Sequence, residues 1–289
     1  MDKSELMTVV FVGYDGYSDM WNDCISLYNR FWDDCPYRTI FVNNVKDVCF
    51  PNVDVIHAGK NAEWSQKVRL VVQEAKTQYI CLLLEDFLVG ERINTKRIDS
   101  TIRFIKKEGI RYYKLANMSR AVKNRDPHYK GKRFLHIIPE SDEYGVSLQA
   151  AIWDRNYLLE LLGEGNYNAW IFEFNRVKEA QGKPDRPNPG CVFDDRNILN
   201  LQHGVIQSKY LPGTIRYFKN IGINLNVERE VMSWPHYYKL RLISKGKYII
   251  PKKMRNTVKK ILEGIGMSFV STIRNKTEYS SSEVKSNLK

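Results

Sequence analysis

The chain has 289 residues, 43% of them hydrophobic and 27% charged, which suffices for a sizeable core and is too apolar for a disordered protein. No run approaches the roughly 18 apolar residues that a membrane-spanning helix needs, and Met1-Asp2-Lys3-Ser4-Glu5 lacks the basic start and long apolar centre of a secretory signal. The formal charge of +12 is concentrated, because residues 236–289 carry +10 and the first 235 carry +2, so a nearly neutral body ends in a basic segment.

Residues 8–15 read as a first strand ending on Asp15, and residues 18–32 carry Met20, Ile25, Leu27, Tyr28 and Phe31 at helical spacing. Arg38 to Val42 reads as a second strand, closed by the turn signal Asn43-Asn44, and Val53 to His57 as a short third. A helix over 62–76 turns Val68, Val71, Val72 and Ala75 inward. Then comes Tyr79-Ile80-Cys81-Leu82-Leu83-Leu84, an unbroken apolar run that stops on Glu85-Asp86 and reads as a strand buried on both faces of a parallel sheet. A helix over 94–108, with Asn94 or Thr95 as its cap, leads to a strand at 111–116. This βαβα alternation predicts an α/β fold with a doubly wound, mostly parallel sheet flanked by helices.

The polar, basic stretch 117–146 predicts an irregular loop. Residues 147–153 read as a strand, Asp154 caps a helix through Leu162, and 168–180 form a helix whose first turn carries Trp170 and Glu173. Three prolines between Gly182 and Gly190 predict a loop, and Asp194-Asp195 reads as a solvated turn or cap. Residues 1–235 are expected to form the body and 236–275 a basic amphipathic helical extension, with Val258, Ile261, Leu262 and Ile265 on one face and a disordered tail over 276–289. The five cysteines form no Cys-x-x-Cys pair, which argues against a disulfide framework or zinc ribbon and fits a reducing cytoplasm.

In open α/β sheets, ligands bind outside the carboxyl ends of the strands. Tyr14-Asp15 and Glu85-Asp86 both fall there, where a carboxylate can hold a divalent cation or a sugar hydroxyl. Glu173, among Trp170, Phe172 and Phe174, is the best-placed general base, with Asp142 and Glu143 in reserve. Structural readings stand beside these. Tyr14 can plug the sheet edge, Asp15 can be a turn residue, Trp64 can staple its helix to the core, Ser65 is a good N-cap, Glu173 can pair with Arg176 or Lys178, and a lone His203 can be structural.

The order of these parts resembles a bacterial glycosyltransferase of the GT-A fold, of the capsule or lipopolysaccharide type. The resemblance rests on Tyr14-Asp15 after the first strand, Trp64-Ser65 opening a helix, Glu85-Asp86-Phe87 ending the apolar strand, Trp170-Ile171-Phe172-Glu173 downstream, and His203 to Tyr210 as a final core strand and turn. It implies a nucleotide-sugar donor, UDP-linked by family habit, bound by Tyr14, Asp15, Trp64, Ser65, Glu85 and Asp86. It further implies Mn²⁺ or Mg²⁺ on Asp86 with His203, Glu173 as the base of an inverting transfer, and a saccharide or lipid-linked saccharide acceptor. Glu85-Asp86-Phe87 departs from the family's Asp-x-Asp spacing; without a metal, Lys or Arg from residues 117–133 would have to neutralise the diphosphate. The basic extension suits the anionic inner face of a cytoplasmic membrane. A nucleic-acid-binding protein would carry basic charge across its body, which this chain does not, and a scaffold without chemistry leaves the acids at the strand end unexplained.

Overall fold

A computed structural model of the chain describes residues 6–115 and 127–249, with side chains followed to residue 242. In chain order the first half contains β1 (Met7–Val12), a 3₁₀ segment (Asp15–Met20), α1 (Trp21–Phe31), β2 (Arg38–Asn43), β3 (Asp54–His57), α2 (Trp64–Ala75), β4 (Tyr79–Leu84), β5 (Phe87–Val89), α3 (Thr95–Glu108) and β6 (Tyr112–Lys114). The second half contains β7 (Leu135–Pro139), β8 (Ala151–Asp154), α4 (Arg155–Leu162), α5 (Ala169–Ala180), β9 (Pro187–Asp194), β10 (Leu201–His203), β11 (Val205–Ile206), β12 (Lys209–Tyr210), α6 (Pro212–Asn220) and α7 (Trp234–Ile249). Two compact units meet in sequence after Tyr237.

Eight strands form one sheet in the order β3-β2-β1-β4-β8-β6-β9-β7. The pairs β1–β2, β1–β4, β2–β3 and β6–β9 are parallel, while β8 runs antiparallel between β4 and β6, and β7 antiparallel beside β9. The expected α/β class with a mostly parallel, helix-flanked sheet is therefore found. Alternation along the strands builds a core on each face. Met7, Val9 and Phe11 of β1 with Cys81 and Leu83 of β4 pack against α1 and α3 on one side. Val10 and Val12 with Ile80 and Leu82 pack against Trp64, Val68, Val71 and Val72 of α2, Leu158 of α4 and Phe172 of α5 on the other.

Local signals hold at several ends. The Asn94 side chain accepts from the Arg97 amide and Gly109 closes α3 in the left-handed region, while the Asp154 carboxylate accepts from the Asn156 and Tyr157 amides at the start of α4. Other expectations are corrected. Residues 135–139, inside the stretch expected to be irregular, form the edge strand β7; residues 117–126 of that stretch lie outside the described residues. The expected strand at 147–153 begins only at Ala151. Pro187 to Gly190 join β9 rather than a loop: Pro187 is paired with Pro139 of β7, while β6 begins only opposite Cys191, which leaves the prolines on a part of the strand paired on one side. His203 to Tyr210 are not a core strand. β10 pairs with β5, and β11–β12 form a separate ribbon turned by Gln207 and Ser208 at positive φ. The expected helical face over 252–270 and the tail at 276–289 lie outside the described residues, and among the described residues no helix is long and apolar enough to cross a membrane.

Asp194 is also corrected: it is fully buried rather than solvated. Its carboxylate accepts from Tyr113 Oη at 2.6 Å and from Arg196 Nε at 2.9 Å, which ties β9 to β6. Truncating the guanidinium leaves a buried carboxylate short of a partner. Arg196→Met is expected to cost about 3 kcal/mol, seen as a lower Tm in thermal unfolding; a change within about 0.5 kcal/mol would be that of an ordinary surface substitution.

Candidate functional site at the carboxyl ends of the parallel strands

The register places Val12, Val42 and Leu84 side by side, so the chain leaves β1, β2 and β4 at neighbouring points of one rim. Gly13, Asn44 and Glu85 follow there. Glu85 is buried, and its Oε2 accepts the Tyr14 amide at 2.6 Å. Next to it, the Asp86 side chain is 22% exposed. Both residues lie in the turn between β4 and β5, which draws the first carboxylate into the protein and leaves the second partly at the surface.

Asp86 is joined by His203. β5 pairs antiparallel with β10 so that Phe87 faces His203, and the Gly204 amide donates to the Asp86 carbonyl at 2.8 Å. His203 Nδ1 lies 3.9 Å from Asp86 Oδ2, and this buried nitrogen has no hydrogen-bond partner. An acidic oxygen and an orphaned imidazole nitrogen facing each other are groups that could contribute to holding a divalent cation. No group of three or more His, Cys, Asp or Glu placed to hold a metal occurs among the described residues.

Tyr14 is 58% exposed, its ring tilted toward Tyr17 at 6.2 Å between centroids. Asp15, partly exposed, clamps the loop after β2: Oδ1 accepts the Asn44 amide at 2.9 Å, and Oδ2 the Val45 and Lys46 amides at 3.0 Å each. Trp64 is buried against Phe172 at 5.1 Å, the staple reading. Ser65 does not cap α2, whose N-cap is Glu63. Its hydroxyl donates to the Gly165 carbonyl at 2.9 Å and accepts the Tyr167 amide at 2.8 Å, fastening the loop before α5.

Glu173 belongs to the same rim. β8 runs antiparallel and starts opposite Leu82 and Lys114, so the residues before Ala151 lead toward the carboxyl ends of β4 and β6, and Glu173 Oε1 accepts the Leu148 amide at 2.6 Å. Lys114 Nζ, which donates to the Tyr144 carbonyl at 3.0 Å, faces the charges of Asp142 and Glu173. Arg176, the expected ion partner of Glu173, pairs with Glu179 instead. Trp170 is exposed on the first turn of α5.

Two rim residues escaped the sequence reading. Lys67 is only 3% exposed, and its Nζ donates to the Gly13 carbonyl at 2.7 Å and to Asn44 Oδ1 at 3.0 Å. A signal was present: Lys67 shares the inner face of α2 with Trp64 and Val71, where a charge is out of place. Arg229 gave none. It reaches back across 210 residues to grip Asp19 with two nitrogens, at 2.6 and 2.5 Å, and lies 4.1 Å over the Tyr17 ring. The guanidinium holds the Asp19 carboxyl below its usual range.

No known family profile and no curated protein matches this chain. Solved structures that resemble it include S. aureus TarS 1–349 in complex with UDP, at 12% identity and a TM-score of 0.39 over 65% of this chain and 60% of that one. Another is the bifunctional IspDF from Campylobacter jejuni, at 10% identity and a TM-score of 0.34 over 68% of this chain and 55% of that one. The chain thus spans less than two thirds of the length of either. Similarities of this order say nothing about residues or activity.

Burial, with the neighbouring Asp86 charge adding to it, pushes the Glu85 carboxyl well above the ordinary 4.5; the Tyr14 amide and Lys67 oppose the rise. The folded state then holds this proton more tightly than the unfolded chain does. The stability it contributes is whole below the ordinary carboxyl value and is lost as pH rises. Glu85→Gln, uncharged throughout, is expected to match the wild type in Tm near pH 4 and to exceed it near pH 8. A variant equally destabilised at both would contradict this origin of the shift.

Proposed function

We propose that the chain is a glycosyltransferase that moves a sugar from a nucleotide donor, UDP-linked in the first instance, to a saccharide or lipid-linked saccharide acceptor in cell-surface polysaccharide synthesis. The observation that carries the reading is the pairing of Asp86 with His203 at the rim where β1 and β4 release Tyr14 and Glu85. Ligands of open α/β sheets bind at such a rim. The base is proposed to rest on the Tyr14 ring and the diphosphate to lie over Asp86.

A carboxylate facing a diphosphate needs a cation between them. Asp86 and His203 are the residues that would hold Mn²⁺ or Mg²⁺, whose chemistry is to neutralise charge on the leaving nucleotide. Glu173 is proposed to take the proton from the acceptor hydroxyl, its Oε1 aimed by the Leu148 amide; attack from the face opposite the nucleotide inverts the anomeric centre. In this reading Asp15, Trp64, Ser65 and Glu85 serve the site by shaping its walls.

The expected result with UDP is a rise in Tm that grows when Mn²⁺ is added, since a ligand of the native state stabilises it; no shift with any of UDP, ADP, GDP or CDP would remove the reading. Glu173→Gln is expected to lower transfer about 10²–10⁴-fold with the UDP-dependent Tm shift intact. Loss of that shift would make the residue part of the donor wall instead.

The basic C-terminal segment is proposed to rest on an anionic membrane at the cytoplasmic face, where a lipid-linked acceptor would be presented. Within α7, Trp234, Tyr238 and Leu242 are exposed at intervals of one turn beside Lys239 and Arg241, a composition that suits the lipid–water interface. Full-length protein is expected to co-sediment with phosphatidylglycerol vesicles and a chain ending at Trp234 is not; equal binding by both would remove the membrane assignment and leave the transferase assignment standing.

A further inference from the structure

Lys67 is a buried lysine at the rim, 3% exposed. Its two acceptors sit on different strands' exits: the Gly13 carbonyl after β1 and the Asn44 side chain after β2. Asn44 in turn donates to the Gly59 and Ala62 carbonyls at 3.2 and 2.7 Å, and its amide binds Asp15. Gly13 precedes Tyr14, whose amide is anchored on Glu85 and whose ring lies 5.7 Å from Lys67 Nζ. Lys67 also faces the charges of Glu85, Asp15 and Glu63. One ammonium therefore joins the ends of β1 and β2 and the N-terminal turn of α2 directly beneath Tyr14.

A helix whose inner face needs only an apolar side chain gains nothing from a lysine there, because taking an ammonium out of water is costly unless its hydrogen bonds do something an apolar residue cannot. Here they fix a backbone carbonyl and an amide side chain, groups no apolar residue could hold. We propose that Lys67 is a positioning residue of the nucleotide rim: by fastening Gly13 and Asn44 it holds the Tyr14 backbone and ring in the orientation that the donor's base meets. This rests on the nucleotide-sugar reading of the same rim. Lys67 is too buried to touch the ligand; it acts through Tyr14 and Asn44.

The test separates positioning from folding. Lys67→Met leaves Glu85 without its nearest cation and is expected to lower Tm. In Lys67→Met/Glu85→Gln the buried ammonium and the buried carboxyl that it faces are both replaced by neutral side chains, so Tm should recover. If Lys67 only supported the fold, UDP affinity would recover with it. The expected result is that UDP binding to the folded double variant, measured by titration calorimetry, stays weaker than binding to Glu85→Gln alone by about tenfold or more, because pre-organisation of the rim is lost. A folded double variant that binds UDP as tightly as Glu85→Gln alone would overturn the assignment. Asn44→Ala, which removes one Lys67 acceptor and no charge, makes the same test if the double variant does not fold: weakened UDP binding supports the role and unchanged affinity overturns it. Wild-type protein that binds none of UDP, ADP, GDP or CDP would instead overturn the nucleotide reading of the rim and this role with it.

Discussion

The hydrogen bond from the Lys67 ammonium to the Gly13 carbonyl, at 2.7 Å, is the contact around which the rim is arranged. Parallel strands bring their carboxyl ends together but leave them as separate loops with unsatisfied backbone groups. In this chain those groups are answered by a small set of polar side chains, of which Lys67, Asn44 and Glu85 are buried and Asp15 is partly exposed. Lys67 answers Gly13, Asn44 answers the Gly59 and Ala62 carbonyls, Asp15 answers three amides after β2, and Glu85 answers Tyr14. Each of these carries or faces a charge in a poorly solvated place, where a satisfied network is rigid and a broken one is costly.

That network explains why the adjacent acids of the fourth strand play different parts. The chain turns at Glu85-Asp86, directly after β4, and the two carboxylates come to lie in different surroundings. Glu85 is spent on the interior, where burial favours its protonated form, and Asp86 is left to meet whatever lies outside. The second outward group is recruited from far along the chain, by the antiparallel β5–β10 pairing that sets His203 beside Phe87. Two groups far apart in sequence are thus set side by side by the register between two strands.

The legibility of this molecule from its residues divides along the same line. Elements whose signal is local were readable: the two-faced apolar strand at 79–84, the α2 stripe of Val68, Val71 and Val72, and the caps Asn94 and Asp154. The rim location of Tyr14 and Glu85-Asp86 followed from the positional rule for parallel sheets. What was not readable depends on distant partners. β7 is an edge strand recognisable only once β9 lies beside it, Pro187 joins β9 by pairing with Pro139 of β7 where β6 has not yet begun, and Arg229 finds Asp19 across two hundred residues. Ser65 and Asp15 were visible as polar residues in significant places, but only the fold shows that their hydrogen bonds fasten neighbouring loops. Lys67 lies between the two cases, since an ammonium on an apolar helix face is a local anomaly whose meaning is tertiary.

The antiparallel strand β8 has a consequence for how the sheet is made. It lies between β4 and β6, which do not touch each other within the sheet, and it follows β4 by some 70 residues of chain. As the protein leaves the ribosome, β1 to β4 can assemble as soon as residue 84 has emerged, since their pairings are confined to that segment. One flank of β4 then stays open until Ala151 to Asp154 are available. An apolar strand with a row of unpaired backbone groups is a template for pairing with another chain, and long-range pairing is slow to close it. The hazard in biogenesis therefore falls in a defined interval of synthesis, between the emergence of β4 and that of β8.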